Sequence, residues 1–130
     1  MSAPVAADRG VEALQSVLAA EHATIFVYAA LGARTSQSAE SALFDRITHA
    51  YRIHNDRRAE LRSMIADLDA EPVAAEPGYE LPIDLGARTA RTAHALRLEE
   101  SMTEHYAYLV ATTSGAHRAW ASSALVDAAV

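Results

Sequence analysis

Several polar side chains occupy positions where the helical pattern of this sequence calls for hydrophobic ones. Glu21, His54 and Glu99 each fall within a stripe of apolar residues spaced three and four apart. Asp127 can do the same on a shorter stripe near the C-terminus. Because a buried carboxylate without a partner is costly or becomes protonated, one polar residue in each stripe indicates that these side chains meet inside the protein.

Carboxylates and an imidazole that meet in this way allow two kinds of chemistry. Together they can hold a single Zn²⁺, Mn²⁺ or Fe²⁺, with water at the open positions. The same groups can instead neutralise one another in a buried network that fixes helix packing. Arg57 or Arg58 is expected to face the core and to take part in such a network. The residue types alone leave both interpretations open.

Four helices are predicted to carry these residues, because alanine, leucine, glutamate and arginine dominate between clusters of proline and glycine. The predicted bounds are about 8–33, 38–68, 85–112 and 114 to the C-terminus, with Asp8 and Asp84 as N-caps of the first and third helices. At ~1.5 Å per residue, Glu21 and His54 lie about 20–27 Å from the same end of the first helix pair. Glu99 and Asp127 lie at similar distances from the second connection, so all four can share one layer.

The connections between the predicted helices indicate the topology. Residues 34–37, and the still shorter link before the last helix, join antiparallel neighbours. The proline-rich segment 70–84 can reach about 50 Å when extended, which is enough to travel back along a helix of about 45 Å. The sequence therefore predicts an all-α four-helix bundle of two antiparallel hairpins joined by a long crossover. The alternative is that 70–84 is a loose surface loop.

Short segments along nearly the whole chain carry a family resemblance. They are Ala20-Glu21-His22-Ala23-Thr24-Ile25, His54-Asn55-Asp56-Arg57-Arg58, Gly78-Tyr79-Glu80-Leu81-Pro82, Arg97-Leu98-Glu99 and Ala121-Ser122-Ser123-Ala124-Leu125. In these segments the sequence resembles the ferritin-like superfamily, and it is most similar to a branch of small, alanine-rich bacterial members of unassigned function. The resemblance implies a ferritin-like bundle with a carboxylate and histidine centre.

The resemblance also implies which residues would form that centre. In di-iron members, the first and third helices each give one glutamate, and the second and fourth each give Glu-x-x-His. Glu21, Glu99 and His54 match three of these positions, and Asp127 stands where the fourth helix has its glutamate. The remaining glutamate and histidine are replaced by Tyr51 and Val130. The centre is therefore degenerate, and Glu21, His54, Glu99 and Asp127 are the predicted metal ligands if iron, manganese or zinc binds.

The composition excludes several classes of protein. The chain has no cysteine, which removes disulfides, thiolate zinc sites, iron–sulfur clusters and cysteine nucleophiles. Its net charge of −6 makes nucleic acid a poor partner, and no apolar run approaches the ~20 residues of a membrane span. With no signal-peptide pattern, we expect a single domain over residues 1–130 in the cytoplasm, with residues 1–7 flexible.

Two functional interpretations follow from these observations. The first is a binding or structural module that keeps the fold without oxidase chemistry, which the replacements at Tyr51 and Val130 favour. The second is a metal-binding oxidoreductase or iron-handling protein. The last helix, about 22 Å long, would leave part of the bundle uncovered, which predicts an apolar patch and a homodimer. His22 is expected at the surface or at an interface.

Overall fold

Four α-helices make up the part of the chain that the structure describes. The structure is a computed structural model, and it describes the backbone of residues 2–129 and the side chains of residues 8–127. The helices are α1 (Ser2–Ala33), α2 (Ser41–Asp67), α3 (Arg88–Thr112) and α4 (Gly115–Ala129), and this range contains no strand. The predicted all-α four-helix bundle is confirmed. The side chains of residues 1–7 lie outside the described residues, so their flexibility stays a prediction.

Residues that meet across the bundle give the direction of each helix. α1 packs on α2 and on α3, and α3 packs on α4. From Glu21 to Tyr28 along α1, the contacts move backwards along α3 from Tyr106 to Glu99, so α1 and α3 are antiparallel. α1 and α2 are also antiparallel across their short connection. Consequently α2 and α3 run parallel, which is the arrangement that requires a long crossover.

The crossover between α2 and α3 lies along α1. The side-chain amide of Gln15 donates to the Glu71 carbonyl and accepts from the Val73 N–H, both at 2.7 Å. His22 Nε2 lies 2.9 Å from the Val73 carbonyl. Because α1 side chains hold these backbone groups, the alternative of a loose surface loop does not fit the structure.

Aromatic and aliphatic contacts fix the rest of the crossover. The rings of Phe26 and Tyr79 pack edge to face with centroids 5.4 Å apart. Further on, Leu85 is buried in the core beside α1 and α2. The crossover therefore runs parallel to α1 from the middle of that helix to its C-terminal end.

α1 starts earlier than predicted. It begins at Ser2, so Asp8 lies inside the helix and is not its N-cap. Pro4 does not prevent this start, because N–H groups in the first turn have no acceptor within the helix. The sequence pattern places the start at Asp8 because aspartate is a good N-cap residue and the residues before it carry no apolar stripe.

α2 and α3 start later than predicted, each after a turn. Before α2, which begins at Ser41, the Glu40 carboxylate accepts the N–H of Ser36 at 3.2 Å and closes a turn. Before α3, which begins at Arg88, the predicted N-cap Asp84 adopts a left-handed conformation with φ 67°. That conformation is incompatible with entry into a right-handed helix at the next residue.

A buried arginine holds the end of the crossover. Arg91 donates to the carbonyls of Leu85 and Gly86, both at 2.9 Å. Another of its guanidinium nitrogens donates to both carboxylate oxygens of Glu40, at 2.6 and 2.7 Å. We call this contact the Glu40–Arg91 pair. It ties the start of α3 to the turn between α1 and α2.

The core consists of two apolar clusters with a polar layer between them. The larger cluster lies towards the end of the bundle where α4 begins and contains Ala13, Leu14, Val17, Leu18, Leu61, Ile65, Met102, Tyr106, Leu109, Ala121 and Ala124. The smaller cluster contains Val27, Tyr28, Leu31, Leu43, Ile47 and Leu85. On α1, α2 and α3 the stretch between the clusters contains Glu21, His54 and Glu99, so the polar residues separate two hydrophobic cores.

One helix of the described range is long and apolar enough to span a membrane. It is the Asp8–Ala33 stretch of α1, and half of the apolar 18-residue segment within it is buried inside the bundle. The core helix of a soluble protein and a signal sequence both meet the same length and composition criteria. The stretch is therefore weak support for a membrane span.

Candidate functional site

Glu21, His54 and Glu99 come together in the polar layer, and we call these residues the central triad. His54 Nδ1 lies 2.7 and 3.0 Å from the two carboxylate oxygens of Glu21. His54 Nε2 lies 2.8 Å from Oε2 of Glu99. Glu21 and His54 are 0% and 1% exposed, whereas the Glu99 side chain is 33% exposed. The histidine thus bridges a fully buried carboxylate and a half-buried one.

The central triad stabilises a positively charged His54. Burial alone would lower the pKa of this imidazole, but the hydrogen bonds and charges of Glu21 and Glu99 outweigh burial and raise it to about 9. Burial would also raise the pKa of Glu99, but the hydrogen bond and charge of His54 lower it overall. The protonated imidazole donates one N–H to each carboxylate. The triad is therefore an imidazolium between two anions.

Two tyrosines add hydrogen bonds to the central triad. The Tyr28 hydroxyl donates to Oε2 of Glu99 at 2.5 Å, and its ring stacks on the His54 imidazole with centroids 5.6 Å apart. The Tyr106 hydroxyl donates to Oε2 of Glu21 at 3.4 Å. Burial and the neighbouring carboxylates raise the pKa of both phenols. Both tyrosines therefore act as protonated donors that hold the carboxylates in place.

Asp127 lies apart from the central triad. Its side chain is 69% exposed, and one oxygen is 4.0 Å from a guanidinium nitrogen of Arg57. Arg57 itself is buried, donates to the Ala124 carbonyl at 3.2 Å and lies over the ring of Tyr106. The prediction that one arginine faces the core is confirmed for Arg57, but its guanidinium contacts the Ala124 carbonyl and Asp127 and makes no hydrogen bond to Glu21 or Glu99. The structure does not bring Asp127 into the hydrogen-bonded layer, however, because its carboxylate is mostly exposed and its charged partner is Arg57.

The donor set of the central triad does not fit a metal ion in this arrangement. A histidine ligand must present a free nitrogen lone pair, and both nitrogens of His54 face carboxylates. Among the residues that the structure describes, no group of three or more His, Cys, Asp or Glu side chains is arranged to hold a metal. Tyr51 is 37% exposed, and Val130 lies outside the described residues. Metal binding by Glu21, His54, Glu99 and Asp127 stays a prediction.

His22 is buried, which corrects the expectation of a surface histidine. It is 2% exposed because the crossover covers it, and Nε2 donates to the Val73 carbonyl. Burial is the main effect that lowers its pKa. His22 is thus a neutral histidine that fixes the crossover, and its position beside the α1 stripe gave no signal of this partner.

An open groove leads from solvent to the central triad. It lies between α2 and α3, has a volume of about 900 Å³, and is lined by residues that include Tyr28, His54 and Glu99. Asp127, near the end of α4, also lines the groove, as do Leu43 and Ile47 near the start of α2. The short fourth helix predicts such an uncovered surface. The length of that helix does not predict that the groove reaches Glu99.

Comparisons with known proteins agree with this fold. The model of a family described as a domain of unknown function (DUF4439) matches residues 13–130. A crystal structure of a conserved hypothetical protein, Rv2844, from Mycobacterium tuberculosis superposes with a TM-score of 0.84 and 26% identity. The match covers 94% of this chain and 90% of that one. A comparison with curated proteins gives no match. Because the family model matches most of its length, the chain belongs to the DUF4439 family.

Proposed function

We propose that this chain is a binding or structural module of the ferritin-like superfamily in which the central triad fixes helix packing without a metal. The observation that carries the proposal is that both nitrogens of His54 lie within hydrogen-bond distance of a carboxylate, one on α1 and one on α3. A single imidazolium therefore links three helices at one height. The ferritin-like part of the proposal is supported by the parallel α2 and α3 and by the mid-bundle height of the triad.

A buried charge network of this kind acts on specificity more than on net stability. Desolvation of charged groups offsets much of their mutual attraction, but a network with one member removed leaves an uncompensated charge. Packing that shifts α1 along α2 by one turn, about 5.4 Å, would separate Glu21 from His54. The network therefore disfavours wrong helix registers in a core that is otherwise mostly aliphatic.

The alternative function is that of a metal-binding oxidoreductase or iron-handling protein. It would use Glu21, His54, Glu99 and Asp127 to hold iron, manganese or zinc. His54 would have to lose a proton and turn one nitrogen away from its carboxylate, and Asp127 would have to move inwards from its exposed position beside Arg57. We also propose the predicted cytoplasmic location, which fits either function.

Metal analysis separates the two functions. We expect protein purified without a metal-affinity column to contain no stoichiometric iron, manganese or zinc, and to show no optical change when Fe²⁺ is added under air. A chelator should leave the unfolding temperature unchanged. One or two metal ions bound per chain, or a melting temperature that falls with the chelator, would overturn the proposal.

The variant Glu99→Gln sharpens this test, with Glu100→Gln as its control on the exposed face of α3. If the triad is a charge network, Glu99→Gln lowers the unfolding temperature by the same amount with and without added metal, and Glu100→Gln changes it little. A loss confined to metal-loaded protein would support the alternative function instead.

A further inference from the structure

The groove between α2 and α3 contains a carboxylate with an unused acceptor. Oε2 of Glu99 accepts hydrogen bonds from Tyr28 and His54. Within the described part of the chain, Oε1 receives no hydrogen bond, and the side chain is 33% exposed where it lines the groove. Two donors on one oxygen hold the carboxylate in a fixed orientation, so the other oxygen is presented to the groove without a reorganisation cost.

The charges around the groove leave a net negative site at Glu99. Among the other residues that line the groove, the negative charges of Asp45 and Asp127 are matched by the positive charges of Arg46 and the buried Arg57. Inside, the two carboxylates of the central triad share a single imidazolium. At least one negative charge is therefore uncompensated, and it lies in a partly desolvated place where a bound cation interacts more strongly than in water.

The walls of the groove are mainly apolar. Ile47, Ala50 and Ile53 of α2 face Ala95 and Leu96 of α3 across it, and the Leu96 side chain is 60% exposed. The volume of about 900 Å³ is within the range of small-molecule sites. Apolar walls with one oriented charged group at the floor are the usual composition of such sites. A strongly hydrated metal ion gains nothing from these walls, whereas an organic body does.

We propose that this groove binds a small organic monocation, a primary amine with an apolar body, whose ammonium group pairs with Oε1 of Glu99. The proposal rests on the proposed function, because it needs the carboxylate of Glu99 free of metal. The apolar body lies between α2 and α3 against Ile47 and Leu96. Charge at the floor selects a cation over a neutral or anionic molecule of the same shape.

A matched set of probes tests the proposal with the unmodified protein. Hexylamine, 1-hexanol and hexanoate share one apolar body and differ in charge. We expect hexylamine to shift amide NMR signals of residues 43–57 and 92–99, and to bind at least about tenfold more tightly than 1-hexanol, the size of effect expected for one charge-assisted hydrogen bond. Hexanoate should bind more weakly still. Equal affinities for hexylamine and 1-hexanol, or shifts that map elsewhere, would overturn the proposal.

Two variants locate the charge. Glu99→Gln should remove the preference for hexylamine over 1-hexanol, and Glu100→Gln should keep it. Ala95→Leu narrows the groove and should weaken both probes together without changing their ratio. If Glu99→Gln does not fold, two other measurements still decide the matter. They are the ratio of the hexylamine and 1-hexanol affinities in the unmodified protein, and the weaker binding of both probes to Ala95→Leu.

Failure of this inference is distinguishable from failure of the proposed function. A metal-free protein that binds no amine contradicts the inference alone, whereas stoichiometric metal contradicts the proposed function as well. A second copy of the chain is the other occupant that an apolar groove can take. Sedimentation and NMR together test this occupant. If the chain is a dimer, and if the NMR signals of the groove shift on dilution of the protein but not on addition of hexylamine, the second copy is the occupant and the amine proposal is wrong.

Discussion

The central triad and the Glu40–Arg91 pair both join helices through buried charges, but different groups carry the positive charge. In the triad it is His54, which is uncharged when free at neutral pH and is held protonated by its two carboxylates. In the pair it is an arginine, which stays charged at every pH that a protein tolerates. The two contacts also differ in position, because the triad lies between the two apolar clusters and the pair lies at one end. Of these two contacts, the triad is therefore the one whose positive charge is lost as pH rises from neutral.

The largest effect should follow removal of the triad's only cation. His54→Leu leaves Glu21, which is 0% exposed, without a charged partner. Breaking a buried charge pair by removing one partner costs about 3–5 kcal/mol of unfolding free energy. Urea unfolding at pH 7 measures the loss, and His49→Leu on the exposed face of the same helix is the control.

The double variant Glu21→Leu, His54→Leu sharpens this result. With the buried carboxylate gone as well, much of the lost unfolding free energy should return. The two leucines would then lie between the two apolar clusters, and no unpaired charge of Glu21 would remain. A His54→Leu loss no larger than that of His49→Leu would contradict the charge network.

The next effect is the dependence of stability on pH. Since the folded-state pKa of His54 is raised from 6.5 to about 9, its contribution is fully present below pH 6.5 and is lost as pH rises to about 9. The rise corresponds to a loss of about 3 kcal/mol over that range. Urea unfolding at a series of pH values should show this slope in the unmodified protein and in Arg91→Ala, but not in His54→Leu. A slope that survives in His54→Leu would assign the titration to another group.

A smaller effect is expected at the Glu40–Arg91 pair. Arg91→Ala removes hydrogen bonds to two carbonyls and a carboxylate, and hydrogen bonds to charged groups contribute about 2 kcal/mol. Because Glu40 is partly exposed at the end of the bundle, water can solvate it after the change. Thermal unfolding measures the loss, with Arg88→Ala one turn earlier on the exposed face as the control. Equal losses in the two variants would show that the pair is of no consequence for stability.

The sequence predicts the helices and the central triad because both depend on local periodicity. Glu21, His54 and Glu99 were found by the stripes that they interrupt, and each stripe was long enough to fix its phase. The stripe that contains Asp127 belongs to a helix of only 15 residues. Its phase was therefore uncertain, and the structure turns the carboxylate out to solvent and Arg57.

Other parts of the structure depend on contacts between residues far apart in the chain. Glu40 and Arg91 are separated by 51 positions, and no local pattern links them. His22 lies beside the α1 stripe, and only the path of the crossover decides that it is buried. The start of α3 differs from the prediction for a related reason. Asp84 adopts its left-handed conformation in a loop whose next carbonyls, of Leu85 and Gly86, accept hydrogen bonds from Arg91.

A nitrogen-15 NMR titration of the His54 ring tests the central claim most directly. The account predicts that both ring nitrogens carry a proton at pH 7 and that the imidazolium loses one with a pKa of about 9. A His54 with one unprotonated nitrogen at pH 7, titrating at or below 6.5, would contradict the bridging imidazolium and the metal-independent network built on it.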